Sequence, residues 1–323
     1  TLELYAELSD DVKSGVNEQQ LARLSQACSR TFNMTVSCKL IPLALKPAEQ
    51  AAILDTVAES TPHGSSVTFD ITHGLRHLPI LALLSAIHLR QAKNAHIQGI
   101  YYGALEAESN SQATVVKLDF ALDTIRWIDA VSVVNRTGNL SALKDLPGIP
   151  DETGARLERT GYLENINQIA EARRPAAAAL QEIAHSDLSF SAALYRDLIT
   201  KQLRWANESN YAERQLALAE NALDNSDYLQ CSILACEAAV SAEMPGRGAD
   251  PLNYDLRREF REGLAQERIP EYRQLTRLRN AIVHGTRSTD AEIQRLLSSE
   301  EALRNCLANL LKWVAGRVHD LGR

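Results

Sequence analysis

The chain has 323 residues, 45% of them apolar, and a net charge of −7. That length supports two ordinary cores, and the acidic balance excludes a protein that grips nucleic acid through a generic basic field, though not one with a small, locally basic site. The longest apolar stretch, "LPILALLSAIHL", is too short to span a bilayer and holds His88, so no membrane partner is expected.

The first residue is Thr rather than Met and no signal peptide is visible, so the true N-terminus, with a strand or more, is expected upstream. "NEQQLARLSQACSRTF" has helical spacing, "MTVSCKLIPL" reads as a strand, and "PAEQAAILDTVAES" is helical with Pro47 in its first turn. "SSVTFDIT" is β-rich, "LPILALLSAIHLRQA" helical, "HIQGIYYGAL" β-rich, and "TVVKLDF" a further short strand. Strand–helix–strand alternation at these lengths predicts βαβ crossovers and a mostly parallel sheet with helices on both faces.

The segment "SSVTFDITHGLRHLP" leaves an apolar strand and enters a helix near His77. Ligands of open α/β sheets bind beyond the carboxyl ends of strands, and a helix start there offers N–H groups and a partial positive charge to a phosphate. Gly74 permits close backbone approach, Thr72 offers a hydroxyl, and Arg76 can fork onto phosphate oxygens. A capped βα turn, in which Asp70 only satisfies backbone amides, explains the same residues equally well. Tyr101 and Tyr102 of "IYYGALEA" alternate faces on the same rim, so one packs while the other is available to stack on a base.

From about residue 121 the β signal disappears, and segments from "LDTIRWIDAVSVV" to "EEALRNCLANLLKWVAGRVH" all carry helical spacing. "ARLERTGYLENINQIAEARR" is one such run, and "RRPAAAAL" is a helix former after a Pro; the breaks are "LPGIPDETG" and "MPGRGADPLN". The five cysteines are scattered with no ligand spacing, which fits buried thiols in a reducing cytosol rather than disulfides or a zinc site.

"LTRLRNAIVHG" carries the sharpest chemistry. At 100° per residue, Leu275, Leu278 and Ile282 form one apolar stripe. His284 lies nearly opposite it, Asn280 about 40° from His284, and Gly285 is placed to end the helix. Arg279 sits on the flank, about 140° from His284, so one helix does not aim both at one atom; a two-fold axis could supply the complement. His is the side chain for acid–base work near neutral pH, and Arg can stabilise charge developing on a phosphoryl group. With RNA the attacking 2′-hydroxyl is already present, and no metal is then needed. In a chain with 26 Arg and 8 His, chance alone supplies about 0.6 such Arg–His spacings, and a surface His closing a helix is commonplace.

"RNAIVHG" resembles the R-N-x-x-x-H motif of HEPN ribonucleases, and "LALAENALDNSDYLQCSILACEAAVSAE" is similar to the leading helices of that domain. "FDITHGLRHLP", with "IYYGALEA" and "IRWIDAVSVVNRTGNL", resembles the CARF sensor domain of CRISPR-associated CARF–HEPN proteins. The family's opening strand, with its glycine- or serine-bearing loop, is not found in this sequence. The resemblance covers most of the chain and implies a Rossmann-like α/β CARF domain over residues 1–120, a helical connector over 121–165, and an all-α HEPN domain over 166–323.

It further implies a cytoplasmic homodimer of type III CRISPR defence. Paired sensor domains bind a cyclic oligoadenylate, with cyclic tetra-adenylate preferred, through Thr72, His73, Gly74, Arg76 and Tyr102. Binding then activates a metal-independent endoribonuclease for single-stranded RNA, whose catalytic residues are Arg279, Asn280 and His284. Two other functions share these features: a non-catalytic cyclic-nucleotide sensor, and a stand-alone HEPN ribonuclease toxin. Opening of the ring by the sensor itself is a further possibility, since its 2′-hydroxyls lie near Thr72 and Arg76.

Overall fold

A computed structural model describes residues 15–109, 112–186, 188, 190–244, 250–285 and 288–320. The chain separates into two compact units, Thr1–Leu122 and Asp123–Arg323. No helix among the described residues is long and apolar enough to cross a membrane.

Among the described residues, the first element of this unit is α1 (Glu18–Phe32), where Asn17 and Gln20 form a reciprocal capping box. There follow α2 (Pro47–Glu59), β1 (Ser66–Asp70), α3 (Leu78–Lys93), β2 (His96–Ser109) and β3 (Gln112–Lys117). β1 and β2 pair in parallel through the α3 crossover, as the alternation predicts. Ala44, Ile53 and Leu81 form a small core here, packed by Leu54 and Leu78.

Two expectations for this unit do not hold. β3 runs antiparallel to β2, giving a three-stranded mixed sheet in the order β1-β2-β3 rather than a mostly parallel one. The cause is chain length: only residues 110–111 separate the two strands, whereas a parallel return needs a crossover of about a dozen residues. "MTVSCKLIPL" is not a strand at all. Its amides are satisfied by a helix instead of a neighbouring strand: Val36 N–H donates to Ser29 Oγ and Cys38 N–H to Ser25 Oγ, both 2.9 Å. A strand-like composition yields a strand only where a ladder partner exists.

Among the described residues, the regular elements of the second unit are all helices. It comprises α4 (Asp119–Thr137, straddling the boundary), α5 (Asp151–Asn165), α6 (Ile169–His185), α7 (Phe190–Leu194), α8 (Arg196–Leu203), α9 (Tyr211–Asp224), α10 (Tyr228–Glu243), α11 (Tyr254–Gln266), α12 (Pro270–His284), α13 (Ala291–Leu297) and α14 (Glu300–Asp320). The segment expected as a connector supplies Trp127, Val134, Leu143 and Leu157 to the same core that holds Leu234, Leu275 and Leu307. The run "ARLERTGYLENINQIAEARR" is not one helix: it breaks at Asn167, which takes a φ of 58°, and α6 passes through Pro175. Asparagine tolerates the left-handed turn, so the break falls there instead of at the proline.

α5 packs so closely on the preceding 3₁₀ turn (Leu140–Leu143) that a Cβ on Gly154 would lie 2.2 Å from the Lys144 carbonyl oxygen. Gly154→Ala is therefore expected to lower the unfolding free energy by about 2–4 kcal/mol in urea titrations, as overpacking against backbone does. Gly263 of α11 meets nothing within 4 Å, so Gly263→Ala is expected to raise it by about 0.5–1 kcal/mol through helix propensity. A neutral Gly154→Ala would show that this packing is not tight in solution.

Candidate active site

α12 starts with Pro270 at its first turn and ends at Gly285, whose φ of 59° supplies the left-handed cap. Tyr272, Leu275 and Leu278 are buried and Ile282 is half-buried, so the apolar stripe read from the sequence faces the core. With Leu275 and Leu278 fully covered, the opposite face is turned to solvent.

Asn280 and His284, one turn apart, are both exposed and line a single surface depression with Arg277, Ala281, Ser288, Thr289 and Asp290. His284 makes no hydrogen bond or ion pair among the described residues, so its ring is available to a substrate. Arg277 completes the face. It lies seven residues before His284, about 20° away around the helix, and pairs with Asp290 at 2.9 Å. Asp290 is held in turn by capping α13, accepting from Glu292 N–H at 2.9 Å. The sequence reading missed Arg277, although the same helical arithmetic that separates Arg279 from His284 brings Arg277 to it.

Arg279 does not join this group. It is half-buried on the flank of α12, with its guanidinium against the Cys236 thiol of α10. Burial pushes that thiol up to about 11, while Arg279 draws it the other way. The neighbouring Glu237 is taken by other partners, Arg257 (2.5 Å) and Arg261 (2.9 Å). Cys231 is likewise buried, its thiol pushed up to about 12, and all five cysteines are free.

In the first unit, the loop between β1 and α3 is built by Asp70. Its carboxylate accepts from Thr72 N–H (2.9 Å) and from the Thr72 hydroxyl (2.5 Å). Thr72 Oγ1 then accepts from Gly103 N–H at 2.8 Å, which ties the loop to β2. Thr72 is thus a clip between two strands, and its hydroxyl proton is already committed. A Cβ on Gly103 would sit 2.9 Å from Thr72 Cγ2, so the clip needs glycine there.

His73, Gly74 and Arg76 are exposed on the loop, Gly74 with a φ of 131°, and Tyr102 beside the clip is 39% exposed. The free N–H groups expected at the start of α3 are largely spent: Leu78 N–H donates to Leu75 O, Pro79 has none, and Ile80 N–H donates to His77 O. His77 itself donates through Nε2 to Leu43 O at 3.0 Å. Any phosphate here has to be held by side chains and by the loop backbone before the helix.

No family model matches the chain. It is similar to the CRISPR-associated protein MJ1674 of Methanocaldococcus jannaschii, with 26% identity over 141 residues, or 42% of this chain. The chain spans 22% of that protein's length.

The clip generates a stability test. Removing the hydroxyl in Thr72→Val leaves Asp70 and Gly103 N–H short of a partner and is expected to lower stability by about 1–2 kcal/mol in urea, while Thr72→Ser stays close to wild type. The bonds from Thr72 hold the Asp70 carboxyl below its usual 3.8. Its stabilisation is accordingly full above 3.8 and is lost as pH falls through the lowered value. The acid limb of the stability profile should therefore flatten in Thr72→Val; an unchanged limb would remove the clip.

Proposed function

We propose that the chain is a CRISPR-associated endoribonuclease in which the outward face of α12 cuts single-stranded RNA and the β1–α3 loop senses a cyclic oligoadenylate. The observation that carries this reading is the grouping of Arg277, Asn280 and His284 on one exposed helix face that ends at a left-handed glycine. The similarity to a CRISPR-associated protein supports the setting.

On this reading His284 exchanges a proton with the 2′-hydroxyl or the leaving oxygen at the scissile phosphate. Asn280 orients the ring or donates to phosphate, and Arg277, half of whose fork is engaged by Asp290, offers its remaining N–H groups to the charge that develops. The nucleophile belongs to the RNA, so the proposed step calls for no metal-bound water. A second copy across a two-fold axis repeats the face and completes a composite site to which Arg279 contributes. The loop bearing Thr72, His73, Gly74 and Arg76, with Tyr102 as a stacking surface, takes the ring. Cyclic tetra-adenylate, itself two-fold symmetric, is the expected activator. The ring activates only insofar as it binds one dimer arrangement better than another.

A quenched-fluorophore RNA assay against rings of three, four and six adenylates tests this. Cleavage is expected with cyclic tetra-adenylate, unaffected by EDTA, and is expected to fall about 10²–10⁴-fold in His284→Ala while ring binding persists. Arg277→Ala is expected to be impaired with normal melting, and Arg279→Ala to be impaired through the composite site. Ring binding with no cleavage would make the chain a sensor, and cleavage indifferent to the ring a stand-alone toxin. Wild-type cleavage by His284→Ala would end the assignment.

A further inference from the structure

Wholly within the helical unit, between α5, α6, α9 and α10, lies a chamber of about 260 Å³. Its lining includes two carboxylic residues, Glu164 and Asp227, and no Lys, Arg or His. Phosphate is therefore rejected there. Ile169, Leu218 and Leu234 provide apolar walls.

Amide side chains bring carbonyl acceptors to the chamber. Gln230 donates one amide N–H to the Glu164 backbone carbonyl (3.2 Å), and the Asn221 amide nitrogen is directed at Gln202 O, so neither bond uses the side chain's own carbonyl oxygen. Asp227 Oδ1 caps α10 by accepting from Gln230 N–H at 2.9 Å. Glu164 is partly exposed as a residue, yet its Oε1 is sealed with no hydrogen-bond partner of good geometry. The indole N–H of Trp205, equally sealed, lies on that side and favours the ionised acid, against the larger effect of burial. Burial pushes this carboxyl up to about 8, so at neutral pH it presents one O–H donor among acceptors.

A larger cleft of about 700 Å³ shares Thr137, Asn225, Asp227 and Leu229 with the chamber. That cleft carries Arg136 and is bounded on α12 by Ala281, Ile282 and Gly285, the last adjoining His284 in the chain.

We infer that this chamber is a subsite for an unpaired nucleobase of the RNA substrate whose Watson–Crick edge carries an exocyclic amine next to a ring-nitrogen acceptor, namely adenine or cytosine. The amine donates to the amide carbonyl oxygens, the ring nitrogen accepts from Glu164, and the apolar walls cover the ring faces. Uracil has no exocyclic amine and presents a carbonyl in its place. The inference deepens the nuclease reading, but its test is independent of cleavage.

The full chain is titrated with adenosine, cytidine and uridine at pH 7 and followed by ligand-observed NMR. Adenosine and cytidine are expected to bind at least about ten-fold tighter than uridine, since a missing partner leaves buried polar groups unpaired. Glu164→Leu is expected to lose about ten-fold in adenosine affinity, with its melting temperature measured alongside. Glu164→Gln, which still donates, is expected to keep most of it. Should Glu164→Leu fail to fold, Ala222→Leu fills the chamber from α9 and is expected to abolish binding. Equal binding of uridine, no nucleoside binding at millimolar concentration, spermidine displacing adenosine, or Glu164→Leu binding like wild type each overturns the subsite. Nucleosides have no phosphodiester, so a protein that binds them without cutting RNA refutes the nuclease and spares the pocket, and the reverse result does the opposite.

Discussion

The burial of Leu275 and Leu278 governs the chemistry of this chain. Both are fully covered, one helical turn apart, and this fixes the rotation of α12 about its axis. Once that rotation is set, Arg277, Asn280 and His284 are on the solvent side and Arg279 is on the flank, with no further adjustment available. A polar residue at either leucine would cost more than its own packing, because the helix could turn and the three polar groups would lose their common face.

The neighbours of α12 reinforce that setting with ions rather than with more hydrocarbon. Glu237 of α10 is 19% exposed and holds Arg257, itself 12% exposed, together with Arg261, both from α11. Arg257 also donates to Ser241 Oγ at 2.8 Å, and that hydroxyl donates to Gln215 Oε1 at 2.6 Å. Removal of one member of so enclosed a network leaves the others uncompensated. Next to it, Arg279 faces a thiol and makes no ion pair among the described residues. Of the arginines around Cys236, it is the one whose charge is not already balanced there, a state suited to a partner brought by assembly or by a phosphodiester.

Much of this was legible in the sequence, for reasons that can be named. The helical half announced itself through period, and the facing of Asn280 and His284 followed from 100° steps alone. The βαβ unit around α3 was equally clear, because its three elements are contiguous. What failed was non-local. "MTVSCKLIPL" has the composition of a strand, but whether it pairs depends on a neighbour, and the serines that take its amides sit on a helix. The direction of β3 was readable from the two-residue gap before it, had length been weighed above alternation. The bond from Gly103 N–H to Thr72 was equally hidden, because the two residues lie 31 apart in the chain. The Glu164 chamber gave no signal at all: its residues are spread over six helices, and only packing joins them.

The serine hydroxyls of α1 carry one more implication. α1 buries none of its residues, its start is closed by its own Asn17 and Gln20, and the chain after it hangs from Ser25 and Ser29. Asn17, Ser25, Ser29, Val36 and Cys38 are therefore bonded within one short stretch. Amides held by such local bonds are expected to exchange with deuterium as a set.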